Sequence, residues 1–313
     1  MQIRSLGRTG LKVSAFCLGT NTFGRATDQA ASDAVLDAFV EGGGNFVDTA
    51  DVYTRGESEK VFGNWIKARG NRNTLVVATK VGIPMSDHPN DRGLSRQHIM
   101  DGVEASLHRL QTDHIDLYYA HRDDHETPLE ETLRAFDDLV SQGKVRYIAA
   151  SNYASWRLAD AVAVSKQNGF ARFDALQPRY NLFSRDEYER ELEALCRQKG
   201  IGVATYFSLA SGFFSGKYQR NQPLPTTHRA SGVERDYFND RGWSILEVVQ
   251  RVAADLKATP SQVALAWIVQ RPGITAPIAS ATSAEQIREL LGAVDLSLNT
   301  EALADLDKVS AWQ

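Results

Sequence analysis

The chain has 313 residues, 42% hydrophobic and 24% charged, with a formal net charge of −4 and a pI near 6.0. That composition suits a globular protein with a sizeable core, and its slight acidity argues against a nucleic-acid partner, which calls for a basic face. No run of about 18 apolar residues suggests a membrane span, no apolar signal core follows Met1-Gln2-Ile3-Arg4, and Cys17 and Cys196 stand far apart in no metal or disulfide spacing, which suits the cytoplasm.

Gln2 to Leu18 reads as a hairpin plus a strand, with Gly7-Arg8-Thr9-Gly10 as the turn. A pattern then repeats: a short apolar run, a loop, and a helix-period stretch. The apolar runs are Ala15–Leu18, Asn45–Asp48, Leu75–Lys80, Ile115–Ala120, Val145–Ala150, Ala175–Gln177, Gly202–Tyr206 and Ile274–Ile278. Helices are predicted between them over Asp28–Glu41, Ser95–Leu110, Pro128–Ser141, Ser155–Asn168, Asp186–Lys199 and Ala284–Ala293. Thr127-Pro128-Leu129-Glu130, Thr259-Pro260-Ser261-Gln262 and Ser283-Ala284-Glu285-Gln286 carry the spacing of capping boxes at helix starts.

Alternating strands and helices imply right-handed crossovers and a parallel sheet. Eight such units imply closure. The predicted class is therefore α/β: a (β/α)8 TIM barrel with an N-terminal β-hairpin, in one domain spanning 1–313. The longest irregular stretch, from about Ser211 to Arg241, follows the seventh barrel strand and is expected to be a functional loop on the catalytic face.

In such barrels chemistry sits at the C-terminal strand ends and in the loops after them. The second strand ends in Asp48, with Tyr53 in its loop; the third ends in Lys80; the fourth is followed by His121. A lysine there also has the bland reading of a side chain snorkelling to water. Together the four residues fit general-acid chemistry beside a hydride donor. A phenol has a pKa near 10, and a neighbouring ammonium is expected to lower it. Asp48 would hold Lys80 charged, and His121 would orient a carbonyl.

The competing reading is metal ligation by His121-Arg122-Asp123-Asp124-His125, as in a hydrolytic barrel. Against it, His88, His98, His108, His114 and His228 fall in helices or loops. No metal is expected, and Asp123, Asp124 and His125 are read as a solvated loop. Neither Gly19-Thr20-Asn21-Thr22-Phe23-Gly24 nor Gly42-Gly43-Gly44 matches a Rossmann or P-loop signature.

Asn45-Phe46-Val47-Asp48-Thr49-Ala50-Asp51-Val52-Tyr53, Thr79-Lys80 and Asp116-Leu117-Tyr118-Tyr119-Ala120-His121 occur in that order, with Gly143-Lys144-Val145-Arg146-Tyr147-Ile148 and Ser151-Asn152 after them. Over nearly its whole length the chain resembles the aldo-keto reductases, in particular the bacterial branch related to the potassium-channel β subunits. The resemblance implies a catalytic tetrad of Asp48, Tyr53, Lys80 and His121 and the reversible reduction of aldehydes or ketones to alcohols. It implies an NADP(H) cofactor touching Gly19, Thr20 and Asp48, its carboxamide held by Ser151, Asn152 and Gln177 and its ring stacked on Tyr206. Phe207, Ser208, Leu209, Ser211, Gly212, Lys217 and Arg229 would follow the pyrophosphate, and Ser280, Thr282 and Gln286 the adenosine 2′-phosphate. Ser280 replaces a usual glycine, Leu290 an asparagine and Phe207-Ser208 a Ser-Pro pair. The adenosine turn also contains no Lys or Arg, Arg288 being the nearest, so NAD(H) stays open as the cofactor. Partners are then a small carbonyl or alcohol substrate, with oligomeric state open. Phe23, Tyr180 and Phe183 are further expected to line the pocket. The rival of another class is a nicotinamide-binding regulatory subunit of the channel-β type.

Overall fold

A computed structural model describes residues 1–227 and 229–312. His228, assigned above to a helix or loop, lies outside the described residues. Strands β1 (Ile3–Ser5) and β2 (Lys12–Ser14) pair antiparallel as a hairpin. Eight parallel strands follow: β3 (Cys17–Gly19), β4 (Phe46–Asp48), β5 (Val76–Val81), β6 (Ile115–Ala120), β7 (Val145–Ser151), β8 (Phe173–Gln177), β9 (Gly202–Thr205) and β10 (Ile274–Ala279). They close into a barrel in chain order, β10 returning to β3. The fold is the expected (β/α)8 TIM barrel with its N-terminal hairpin.

The strands are hydrophobic on both faces because both are covered. Inward-pointing Cys17, Phe46, Ala78, Leu117, Tyr119, Ala149, Ala175, Ala204 and Ala276 form one inner cluster. Large residues from β4 and β6 meet alanines from β7 to β10 in the bore. The alternate residues, such as Val47, Val77, Tyr118 and Ile148, pack outward in the second core cluster, under the helices. Leu6 and Val13 of the hairpin belong to the inner cluster, so the hairpin seals the N-terminal end of the barrel. Its turn needs glycine: Gly7 has φ +55°, and a Cβ there would lie 2.4 Å from the backbone nitrogen of Gly202.

The helices are α1 (Gln29–Glu41), α2 (Glu57–Arg69), α3 (Arg96–Leu110), α4 (Leu129–Ser141), α5 (Ser155–Asn168), α6 (Asp186–Glu189), α7 (Leu192–Lys199), α8 (Ala230–Tyr237), α9 (Asp240–Asp255), α10 (Pro260–Val269), α11 (Ala284–Leu291) and α12 (Thr300–Val309). Among the described residues, no helix is long and apolar enough to cross a membrane. Cys17 and Cys196 are free and buried.

Three expectations need correction. The helix predicted over Asp186–Lys199 is two, because Glu191 leaves helical geometry at φ −143° and its carboxylate accepts from Ser155 on α5. The stretch from Ser211 to Arg241 is not one loop. It contains a 3-10 turn (Ala210–Ser215) and α8, whose Ala230, Val233 and Tyr237 form a buried stripe at helical spacing. Thr127 is not an N-cap: α4 is preceded by Pro128, and the Thr127 hydroxyl donates to Asp124 at 2.7 Å. The box at Thr259 is complete.

Candidate active site

Asp48 ends β4, Lys80 is the next-to-last residue of β5, and His121 follows β6. Register sets them side by side, since Asp48 pairs with Ala78 and Lys80 with Tyr119. Lys80 is fully buried, so it does not snorkel. Its ammonium donates to Asp48 Oδ1 at 2.6 Å, to the Thr49 carbonyl at 2.7 Å and to Tyr53 Oη at 3.2 Å. All three ammonium protons thus have acceptors, which a buried charge requires. The other oxygen of Asp48 accepts from Gln177 Nε2 at 2.8 Å, across the barrel mouth from β8.

Tyr53 arrives from a strained loop. Thr54, Arg55 and Gly56 all adopt left-handed backbone, at φ 51°, 54° and 88°. Consecutive non-glycine residues in that region are costly and persist where the surroundings fix them. The run reverses the chain at once after Tyr53, so that its ring stands over Lys80 Nζ, 4.8 Å from the ring centroid, and edge-on to His121 at 5.9 Å.

The electrostatics depart from the sequence expectation in one respect. The Tyr53 phenol holds its proton more tightly than a free tyrosine: burial raises its pKa more than Lys80 lowers it, and Asp48 adds to the rise. Lys80 is raised as well; burial opposes its charge, but Asp48 and Tyr53 prevail. His121 is pushed well below the ordinary histidine value by burial, by Lys80 and by Arg122, so its imidazole is neutral. Its Nδ1 is buried without a partner among the described residues.

A second buried charge cluster lies behind. Glu59 on α2 accepts from Thr79 at 2.5 Å and Arg109 at 2.6 Å. Asp51, 2% exposed, accepts from the Val52 N–H at 2.6 Å, while its other oxygen has no partner among the described residues. Burial and the nearby Glu59 raise Asp51 to about 8.

A cavity of about 1020 Å³ opens over these groups. Its wall carries three of the four residues, Asp48, Tyr53 and His121, together with Gly19, Ser151, Asn152, Gln177 and Tyr206. It also takes in Phe207, Ser208, Leu209, Ser211, Gly212, Lys217 and Arg229 from the segment after β9, and Ser280, Thr282 and Gln286 after β10, with Ser280 lying against Gly19. Thr20 is the exception: fully buried, off the wall, its hydroxyl bonded to Ser58 and the Asp48 carbonyl. Phe23 and Tyr180, expected as linings, are core residues. Phe183 packs on Tyr237 and under Arg241 instead.

Several wall residues are held by one another. Asn152, at φ 57°, donates to the His121 carbonyl and to Ser151 Oγ, and its oxygen accepts from Tyr206 Oη at 2.7 Å. Gln286 does not complete a capping box: Ser283 caps its N–H, while its own side-chain oxygen accepts from the Thr282 N–H and hydroxyl. Arg288 points away, to Glu41 on α1. The turn that holds Ser280 nevertheless has a cation nearby. Asn21 accepts from Arg229 at 3.4 Å and from Ser280 at 2.7 Å, so Arg229 is tied to the turn that holds Ser280. Asn21 was missed because both partners are more than two hundred residues away in the chain.

The acidic loop after His121 is not simply solvated. Asp124 accepts from the Leu94 N–H, the Glu126 N–H and Thr127 Oγ1, and Asp123 pairs with Arg157 at 3.1 Å. Arg122, His125 and Glu126 are exposed, His125 being stacked on Trp156.

Comparison with known proteins shows the family. The model of the family described as "Aldo/keto reductase family" matches residues 15–311. An uncharacterised oxidoreductase of Bacillus subtilis, YrpG, is 39% identical, the match covering 99% of this chain and 96% of that protein. Probable voltage-gated potassium channel β subunits are 36% identical in Arabidopsis thaliana and 35% in rice, over 95% of this chain and 92% of each.

Proposed function

Because the chain belongs to the aldo/keto reductase family, we propose that it is an NADP(H)-dependent oxidoreductase that interconverts aldehydes or ketones with alcohols, with Tyr53 as the proton donor in reduction. The observation that carries this reading is Lys80, bonded at once to Asp48 and to the Tyr53 hydroxyl on the floor of the cavity. A carbonyl oxygen brought to Tyr53 Oη meets a phenol proton whose departure leaves a phenolate beside a fixed ammonium. Neutral His121 orients that oxygen without competing as an acid. Asp48 and Gln177 keep Lys80 in place, and the closed lower end of the barrel limits water.

The residues present fit a nicotinamide dinucleotide. Ser151, Asn152 and Gln177 supply the donor and acceptor set of a carboxamide. The left-handed turn at Ala210, Ser211 and Gly212 makes a concave stretch of backbone suited to anions. Lys217 and Arg229 add positive charge farther along the wall. When bound, the cofactor supplies the hydride. Arg229, anchored beside Ser280, supports the phosphorylated form over NAD(H), with Ser280, Thr282 and Gln286 nearby.

Steady oxidation of NADPH by the purified protein with a panel of aldehydes and ketones, with NADH in parallel, tests the reading. Tyr53→Phe should lower turnover by about 10²–10⁴ and leave NADPH binding, followed by its fluorescence, within twofold. Wild-type rates in that variant would end the assignment of Tyr53. The plant relatives' names favour a second reading, a cofactor-binding regulatory subunit with weak chemistry. Tight NADPH binding with no turnover on any carbonyl would select it.

A further inference from the structure

The cavity wall carries three cations: Arg122, Lys217 and Arg229. Two come from the segment after β9, where Arg229 is bonded to Asn21 and Lys217 lies over the Tyr218 ring at 5.4 Å. Arg122 is different. It follows His121 directly at the end of β6, shares the wall with Tyr53 and Ile83, and acts on His121 through its charge.

Among the described residues Arg122 has no hydrogen bond or ion pair, and the carboxylates near it are engaged elsewhere. Asp123 faces Arg157 and His125. Asp124 is held by Leu94, Glu126 and Thr127, and Asp48 by Lys80 and Gln177. Arg122 is itself exposed, but unlike an arginine on an outer helix it lines the cavity that holds Tyr53 and His121, at the end of β6, where the reacting carbonyl would sit and away from the segments after β9 and β10 assigned to the cofactor phosphates.

We propose that Arg122 is a specificity-determining residue that recognises an oxyanion on the substrate, so that the preferred substrates are short aldehydes or ketones carrying a carboxylate or phosphate. A guanidinium matches both anions through paired N–H donors. This inference rests on the carbonyl-reductase reading above and deepens it.

The test compares matched substrates: succinic semialdehyde against butanal, and glyceraldehyde 3-phosphate against glyceraldehyde, each with NADPH. Wild-type protein should favour at least one charged member by about tenfold or more in kcat/KM, about what one charge-assisted hydrogen bond contributes. The pair that shows the preference identifies the anion. Arg122→Gln should lower that charged-to-neutral ratio about tenfold, chiefly through KM, and Arg122→Lys should restore part of it. Succinate with NADP⁺ should raise the melting temperature of the wild type more than that of Arg122→Gln, a readout independent of turnover. If neutral aldehydes are reduced as well as the charged ones, or the ratio is unchanged in Arg122→Gln, the inference fails and the reductase reading stands. If no carbonyl is reduced, both fail together.

Discussion

Asp51 holds a proton that an exposed aspartate would have lost, since burial and Glu59 raise its pKa to about 8 from about 3.9 in an unfolded chain. Between those values the unfolded state binds fewer protons than the folded one, so stability falls as pH rises through the window. Asp51→Asn removes that dependence. It should gain stability over wild type progressively from about pH 4 to 8 and show no gain at pH 4, measured by urea unfolding; a difference constant with pH would refute the protonated state. Tyr53 sets a second pH signature. Its phenol is raised above the tyrosine value and His121 is neutral, so reduction should stay flat from about pH 6 to 9 while alcohol oxidation, which needs the phenolate, climbs. Ionised Asp51 only strengthens Tyr53's hold on its proton. A reductive rate that halves near neutrality would contradict this assignment. The four polar residues were legible in the sequence because each sits at or just beyond a strand end. The direction of Tyr53's shift was not, because the burial that decides it depends on the assembled wall.

The turn between β4 and α2 carries more of the site's geometry than any helix does. Thr54, Arg55 and Gly56 are all left-handed, and a Cβ on Gly56 would come within 2.7 Å of the Arg109 side chain, which in turn holds Glu59. Gly56→Ala should cost about 1–3 kcal/mol in denaturant unfolding and reduce kcat more than it changes KM, because it displaces Tyr53 rather than the pocket. An unchanged kcat would show that the turn does not position the ring. Such a turn has no signature in the string Tyr53-Thr54-Arg55-Gly56; the strain follows from what packs on either side. Other elements were easier. The Thr259 box folded as written because its partners are three residues apart. The break at Glu191 came from Ser155 on another helix, and α8 was hidden because its short stripe is flanked by turn formers.

The barrel as a whole was readable because a repeated strand–helix pattern has one common closed solution, whereas the cavity wall joins residues such as Asn21 and Ser280 that only closure brings together. Closure also explains the hairpin. Leu6 and Val13 fill the lower bore, so Leu6→Ala should destabilise the fold by about 2–5 kcal/mol with little effect on kcat per folded molecule, since it lies at the end opposite Tyr53. Equal losses in both would mean that the two ends are coupled. With that end corked, the cavity above Tyr53 opens at the opposite end of the barrel. If Tyr53 yields a proton in each reductive cycle, the replacement must come through the same opening by which alcohol departs and fresh carbonyl enters. Recharging the acid and emptying the pocket are then sequential uses of one passage, and anything lodged there, including an anion drawn to Arg122, delays both.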